Sequence, residues 1–145
     1  MADATTATSV VQCGHCGKKN RLPAAASGTP VCGNCKNPLP WIVDAGDDTW
    51  VEVVEQSPIP ALVDLWAPWC GPCRMVSPAL EQVARDLVGR IKLVKVNVDT
   101  APRTSQRFDV QAVPTLLLLS GDKVVARQAG AAPADVLQRW VNSHL

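Results

Sequence analysis

The chain has no tyrosine and a single phenylalanine, Phe108, so aromatic packing falls to its five tryptophans. It has almost no net charge: 14 basic against 13 acidic residues leave +1 at pH 7. That balance gives no electrostatic basis for a nucleic-acid or membrane partner. No apolar run approaches the roughly 20 residues needed to span a bilayer. The first nine residues, Met1 to Ser9, are polar and acidic and lack the basic start and apolar centre of a secretory leader. A cytoplasmic, reducing setting is therefore expected. Charged residues are few, at 19%, against 47% hydrophobic, which excludes a disordered chain. A length of 145 residues leaves room for one ordinary domain and a small appendage.

Cysteine, by contrast, is present six times. In a reducing compartment six cysteines point to metal and redox chemistry and away from a disulfide scaffold. Two of them lie in Trp66-Ala67-Pro68-Trp69-Cys70-Gly71-Pro72-Cys73-Arg74, between two patterns of opposite kind. Ala61 to Trp66 is a short apolar run holding one acid and bounded by Pro60 and Pro68, the pattern of a buried strand. Val76, Leu80, Val83 and Leu87 then recur at helical spacing. Cys70 thus falls where a strand ends and a helix begins, with Cys73 one turn further on. Free N–H groups at a helix start stabilise a thiolate there. Cys70 is read as the exposed nucleophile that opens a substrate disulfide, and Cys73 as the shielded thiol that resolves the mixed disulfide. Pro72, without an N–H, suits the first helical turn, and Gly71 adds little bulk. A bare C-x-x-C is equally compatible with half a zinc site or with two reduced core cysteines; the strand-to-helix setting favours redox chemistry.

Trp69-Cys70-Gly71-Pro72-Cys73 resembles the active site of the thioredoxin family. Val63-Asp64-Leu65-Trp66-Ala67, Lys95-Val96-Asn97-Val98-Asp99 and Val113-Pro114-Thr115-Leu116 match that family in order and spacing, from about Trp41 to the C-terminus. The resemblance implies an α/β thioredoxin fold, a mixed central sheet with helices on both faces. It implies a buried acid, Asp64, for proton transfer with the second cysteine, and Lys95 near that acid to tune it. Pro114 takes the place of a cis proline facing the Cys70–Cys73 disulfide. Trp69, Gly71, Pro72, Val113, Pro114 and Gly130, together with Ala112, would form the surface that binds substrate. From the residues alone, Asp64 shares a strand face with Leu62 and Trp66, where burial would raise its pKa. The alternatives are a strand acid in water and a surface lysine at the strand end. Arg74, and Gln111-Ala112-Val113 ahead of the proline, depart from the commonest family residues and leave substrate preference open.

Upstream, Cys13-Gly14-His15-Cys16 and Cys32-Gly33-Asn34-Cys35 are separated by fifteen residues, a spacing that fits a four-cysteine structural site for one Zn²⁺. Gly14, Gly17 and Gly33 would let the backbone turn about the sulfurs. The segment between the pairs is too poor in apolar residues to fold without such a staple. Cys13-Gly14-His15-Cys16 is also similar to the redox motif of protein disulfide isomerases, but no apolar strand leads into it and no amphipathic helix follows. The pairing of ribbon and redox domain resembles the zinc-ribbon-containing thioredoxin 2 subfamily.

The expected organisation is a disordered tail over residues 1–9, a zinc ribbon over 10–36, a linker over 37–40 and a thioredoxin domain over 41–145. Within the last, Trp41 to Val43 reads as an edge strand. Asp47 is positioned to cap a helix over 48–56 with Trp50, Val53 and Val54 inward. Strands are expected over 61–66, 91–98, 114–119 and 124–128, and helices over 71–88, 101–108 and 133–144. The last helix should turn Val136, Leu137, Trp140 and Val141 inward, and Pro78 should kink the long one. The expected function is protein-disulfide reduction by a monomer. Disulfide-containing proteins would be its substrates, thioredoxin reductase its electron donor, and no organic cofactor would be needed. A disulfide oxidase or isomerase, and a zinc-ribbon scaffold that binds partners without turnover, are the alternatives.

Overall fold

A computed structural model describes residues 8–26 and 28–145. Strands β1 (Thr8–Gln12) and β2 (Lys19–Pro23) pair antiparallel as an N-terminal hairpin. The remaining strands are β3 (Trp41–Asp44), β4 (Ala61–Trp66), β5 (Lys92–Asn97), β6 (Thr115–Ser120) and β7 (Lys123–Ala129). They form one sheet in the order β3-β5-β4-β6-β7. The first three neighbours run parallel, and β6 and β7 are antiparallel. The helices are α1 (Gly71–Asp86), α2 (Pro102–Arg107) and α3 (Ala134–Asn142).

Strand alternation splits the core into two layers. Leu62, Leu93, Leu116 and Leu118 face one side and pack on Val76, Leu80, Val83 and Ala84 of α1 and on Leu137 and Val141 of α3. Val63, Leu65, Val94, Val96, Leu117 and Leu119 face the other, under Trp50, Val53 and Val54 with Phe108. β4 has a neighbour on each edge and a layer on each face, so a residue in its middle is far from water whichever way it points. The long helix is continuous from Gly71 to Asp86, with Pro78 inside it.

Several expectations change. Thr8 and Ser9 belong to β1 and not to a tail; residues 1–7 lie outside the described residues. The supposed linker is packed: Leu39 and Pro40 are buried, and Leu39 N–H donates to the Pro30 carbonyl at 2.8 Å. The ribbon places its few apolar side chains, Val11, Leu22, Ala24 and Leu39, in the same cluster as Trp41, Val43 and Trp50. Trp41 Nε1 donates to the Gly28 carbonyl at 2.8 Å, and Asp44 N–H donates to Ser9 Oγ at 2.9 Å. Val136 points outward at 38% exposure, whereas Leu137 and Val141 are buried.

The segment expected as a helix over 48–56 is a single π-type turn, Val51–Glu55, still burying Val53 and Val54. Ser57 N–H donates to the Val54 carbonyl and Pro58 has no N–H, so the Val53 carbonyl is left to accept from Lys92 Nζ at 2.8 Å. Lys92 is fully buried, with its ammonium 5.5 Å from the centre of the Trp41 ring, and burial pushes its pKa down to about 8.

Asp47 does not cap the turn that follows it. Its carboxylate accepts from the N–H groups of Arg103 and Thr104 and from Thr104 Oγ1, at 3.1, 2.8 and 2.7 Å. Those are orphan donors at the start of α2, whose own capping residue, Ala101, has no side-chain acceptor. Burial alone would raise the Asp47 pKa; the Thr104 and Arg103 hydrogen bonds overcome it and hold the carboxyl below its ordinary value. Replacing Asp47 with Ala removes a cap supplied from another part of the chain. It should destabilise the fold by about 1–2 kcal/mol, measured as a lowered urea midpoint at unchanged slope.

Candidate active site and metal centre

α1 begins at Gly71, directly after β4 and the Ala67–Trp69 turn, and Cys70 is its capping residue. Cys70 Sγ accepts from Cys73 N–H at 3.2 Å. The two cysteines are joined by a disulfide, with their Cα atoms 5.3 Å apart. Cys70 is not the exposed group expected from the sequence: it is 4% exposed and Cys73 3%. The asymmetry between them lies in their neighbours. Cys70 Sγ lies 3.6 Å from the Val113 carbonyl oxygen, toward the surface loop, whereas Cys73 lines a partly open cavity on the other side.

Around the disulfide the surface is apolar and open. Trp69 is 70% exposed, and Gly71, Pro72, Ala112 and Gly130 also face solvent, with Val113 half-buried. The Val113–Pro114 peptide is cis, and Pro114 itself is buried beneath this rim. The Pro114 carbonyl accepts from Gly130 N–H at 2.9 Å, which ties Gly130 to the same edge; Gly130 holds φ of 87°, a conformation suited to glycine. The fold thus brings together Trp69, Gly71, Pro72, Val113, Pro114 and Gly130 from three separate stretches of chain.

Asp64 lies beneath the disulfide, 1% exposed, and its Oδ1 has no hydrogen-bond partner among the described residues. It shares a cavity of about 180 Å³ with Trp66, Ala67, Pro68, Cys73, Arg74, Ser77 and Lys95. The cavity wall is mostly apolar, with Asp64, Ser77 and Lys95 among its polar residues, and the space is large enough to admit water. Burial pushes the Asp64 pKa up to about 6, against an opposing pull from Lys95. Lys95 is the register partner of Asp64 on β5. Its ammonium, however, is engaged elsewhere, at 2.6 Å from Glu81 Oε2 and 3.0 Å from Ser77 Oγ. Trp66 is half-buried and not fully core, and its indole N–H is unpartnered among the described residues. Sequence reasoning missed Ser77 and Glu81. Their spacing of four on α1 was the available signal, but nothing in the sequence aimed that face at Lys95.

The second cysteine cluster is built by two matching knuckles. Cys13 N–H donates to the Lys18 carbonyl and Gly17 N–H to the Cys13 carbonyl; Cys32 and Lys36 repeat both bonds with Asn37 and Cys32. The fourth residue after each leading cysteine takes positive φ, 79° at Gly17 and 65° at Lys36. Of the three glycines expected to serve the turns, only Gly17 meets a conformational demand of that kind. Cys13, Cys16, Cys32 and Cys35 bring their Sγ atoms within 4.8 Å of one another. The close contacts are Cys13–Cys35 and Cys16–Cys32, both 3.6 Å. Sulfurs bonded tetrahedrally at about 2.3 Å to one Zn²⁺ stand roughly 3.8 Å apart, so this donor set fits the ion. N–H groups of His15 and Asn34 and the amides of Asn20, Asn34 and Asn37 point at these sulfurs. Such donors favour thiolates. The Cys35 N–H foremost, with Asn34 and Asn20, draws the Cys32 pKa down to about 6. His15 is exposed and stands beside the cluster.

Comparison with known proteins gives the class. The family model described as Thioredoxin matches residues 41–143. A thioredoxin of Haemophilus influenzae is 43% identical over 104 residues, covering 72% of this chain and 97% of that protein. Thioredoxin 1 of a Nostoc species is 41% identical over 99 residues, covering 68% and 92%. Thioredoxin C-3 of Corynebacterium nephridii is 34% identical over 139 residues, covering 94% and 95%, so that match extends across the N-terminal segment. The site is that of a thioredoxin-type disulfide oxidoreductase. The chain belongs to the thioredoxin family. No described helix is long and apolar enough to cross a membrane.

The raised Asp64 pKa has a consequence for stability. The folded state holds this proton more tightly than the unfolded chain, whose carboxyl titrates near 3.8. The group is therefore least costly below that pH, and stability is lost as pH rises toward about 6, where the buried carboxylate ionises. Asp64→Asn should stabilise the protein by up to about 3 kcal/mol at pH 7.5, with far less gain at pH 4. Urea unfolding of both proteins at the two pH values measures the difference.

Proposed function

We propose that this protein reduces protein disulfides, with Cys70 as nucleophile, Cys73 as resolving thiol and Asp64 as proton acceptor. The observation that carries the reading is the Cys70–Cys73 disulfide at the start of α1, with Cys73 and the buried Asp64 lining one cavity. The structure holds the oxidised form. In the reduced form, the Cys70 thiolate attacks one sulfur of a substrate disulfide. A new S–S bond forms, the substrate bond breaks, and one substrate thiolate leaves and takes a proton. Asp64, through cavity water, accepts the Cys73 thiol proton. The Cys73 thiolate then attacks Cys70 Sγ, breaks the mixed disulfide and expels the second substrate thiol, which recovers the proton. One dithiol has become a disulfide and one substrate disulfide two thiols. The exposed Trp69, Gly71 and Pro72, with Val113, Pro114 and Gly130, form the face on which a substrate segment would lie. A thioredoxin reductase is the donor consistent with the family, and a reducing cytoplasm the consistent setting.

The N-terminal ribbon, residues 10–36 with the packed connection 37–40, is proposed to hold one structural Zn²⁺ on Cys13, Cys16, Cys32 and Cys35. Four thiolates fill the tetrahedral shell and leave no open position, so the ion supplies folding energy and not catalysis. The zinc-containing thioredoxin 2 subfamily is the group this arrangement fits. The match to Thioredoxin C-3 covers 94% of this chain and so takes in the N-terminal segment as well as the redox domain.

Insulin reduction with thioredoxin reductase and NADPH tests the activity. Cys70→Ser should abolish turnover, and Cys73→Ser should accumulate a substrate disulfide-linked through Cys70. A partner trapped on the other cysteine would reverse the assignment. Metal analysis of the Cys70→Ser/Cys73→Ser double variant tests the ribbon. One zinc per chain is expected, and its loss would place those two cysteines in the metal shell.

A further inference from the structure

Lys95 stands between two cavities. On one side lies the 180 Å³ space it shares with Asp64 and Cys73. On the other lies a space of about 250 Å³ under the ribbon strand, lined by Ser9 to Gln12 of β1 together with Asp44, Glu81 and Arg85. Carboxylates are within range on both sides. Asp64 of β4 and Asp44 of β3 are both register partners of Lys95, and Glu81 reaches it from α1. The two remaining charges are Arg85, 3.9 Å from Glu81 and lining the ribbon-side space, and Arg74, lining the Asp64 cavity and donating to the Pro68 carbonyl. The residues that β1 brings to this space, Ser9 to Gln12, carry no charge. Of the three carboxylates only Glu81 makes an ion pair with Lys95, at 2.6 Å, with Ser77 Oγ as second acceptor at 3.0 Å. Burial raises the Asp44 pKa against the pull of the Lys95 charge, and Asp44 makes no ion pair with that ammonium.

We propose that Glu81 is a positioning residue: by holding the Lys95 ammonium it keeps that charge off Asp64 and leaves the buried carboxyl able to take and return a proton. This rests on the reductase reading above. An opposite charge brought within reach of a carboxylate favours its ionised form, and the strength of that effect depends on where the charge sits. The side chains of Lys95 and Glu81 are only 20% and 31% exposed, so their pairing is sheltered on the ribbon side. Were the ammonium free, its strongest target would be the unsatisfied Asp64 Oδ1. Asp64 would then ionise at lower pH and become a weaker base toward the Cys73 thiol.

The experiment is a carboxyl-carbon NMR titration of Asp64 in the full-length oxidised protein, with the pH–rate profile of insulin reduction beside it. Glu81→Gln keeps the shape and removes the charge. It should lower the Asp64 midpoint by about one pH unit and move the profile the same way. Lys95→Met should raise the midpoint. In the Lys95→Met background, Glu81→Gln should produce only a small fraction of its shift in the wild-type background. An unchanged midpoint in Glu81→Gln overturns the inference. So does an equal shift in the Lys95→Met background, which would mean that Glu81 acts directly on Asp64. Failure of the wild-type protein to reduce insulin would sink the reductase reading instead, while the NMR midpoints would still decide the positioning.

Discussion

The carboxyl of Asp64 is kept out of water in the middle of a sheet, and much of the fold is what keeps it there. β4 has β5 and β6 at its edges, α1 and α3 over one face, and the Val51–Glu55 turn over the other. A pKa raised from 3.8 to about 6 corresponds to roughly 3 kcal/mol held against the fold at neutral pH. Set against a typical total stability of about 5–15 kcal/mol, that is a large concession for one side chain. It is sustained by the leucine and valine layers on both faces of the sheet. The same placement puts Asp64 and Cys73 on the wall of one cavity.

The ribbon solves a different problem. It has too few apolar residues to fold alone, and the structure gives it two supports. Val11, Leu22, Ala24 and Leu39 join the layer that holds Trp41 and Val43. The four sulfurs gather at a separation that one tetrahedral ion satisfies. Its first strand also shields β3, the edge strand of the main sheet. There the Asp44 N–H finds Ser9 Oγ where an open edge would present it to another chain.

What was legible in the sequence was whatever depends on spacing. The two C-x-x-C pairs, the strand-to-helix junction at Cys70, the alternation that sends Asp64 inward and the helical steps from Val76 to Leu87 all follow from local periodicity, and the structure has each of them. What was not legible depends on which distant residue a side chain meets. Asp47 has the signature of a cap for the turn beside it, yet its partners are Arg103 and Thr104, more than fifty positions away. Lys92 and Lys95 are three residues apart on one strand and look alike; alternation sends the first under Trp41 and the second toward α1. Burial of Cys70 is likewise tertiary, set by Val113 and Trp66 packed around the disulfide.

Two kinds of cysteine pair coexist in this chain, and geometry separates them. In both, backbone N–H groups point at sulfur: Cys73 N–H at Cys70, His15 N–H at Cys13 and Asn34 N–H at Cys32. Stabilisation of a thiolate therefore does not distinguish redox from metal chemistry. The contacts between sulfurs do. At the head of α1 the bonded partners belong to one C-x-x-C. In the ribbon each close contact crosses between knuckles, Cys13 to Cys35 and Cys16 to Cys32, so neither C-x-x-C closes on itself. Four sulfurs within 4.8 Å of one another, with close contacts crossing between the knuckles, form a group that could hold one metal ion. Among the described residues, the pair at the helix start shares its cavity with a buried acid, Asp64, the group that the proposed reduction would use to receive the Cys73 proton.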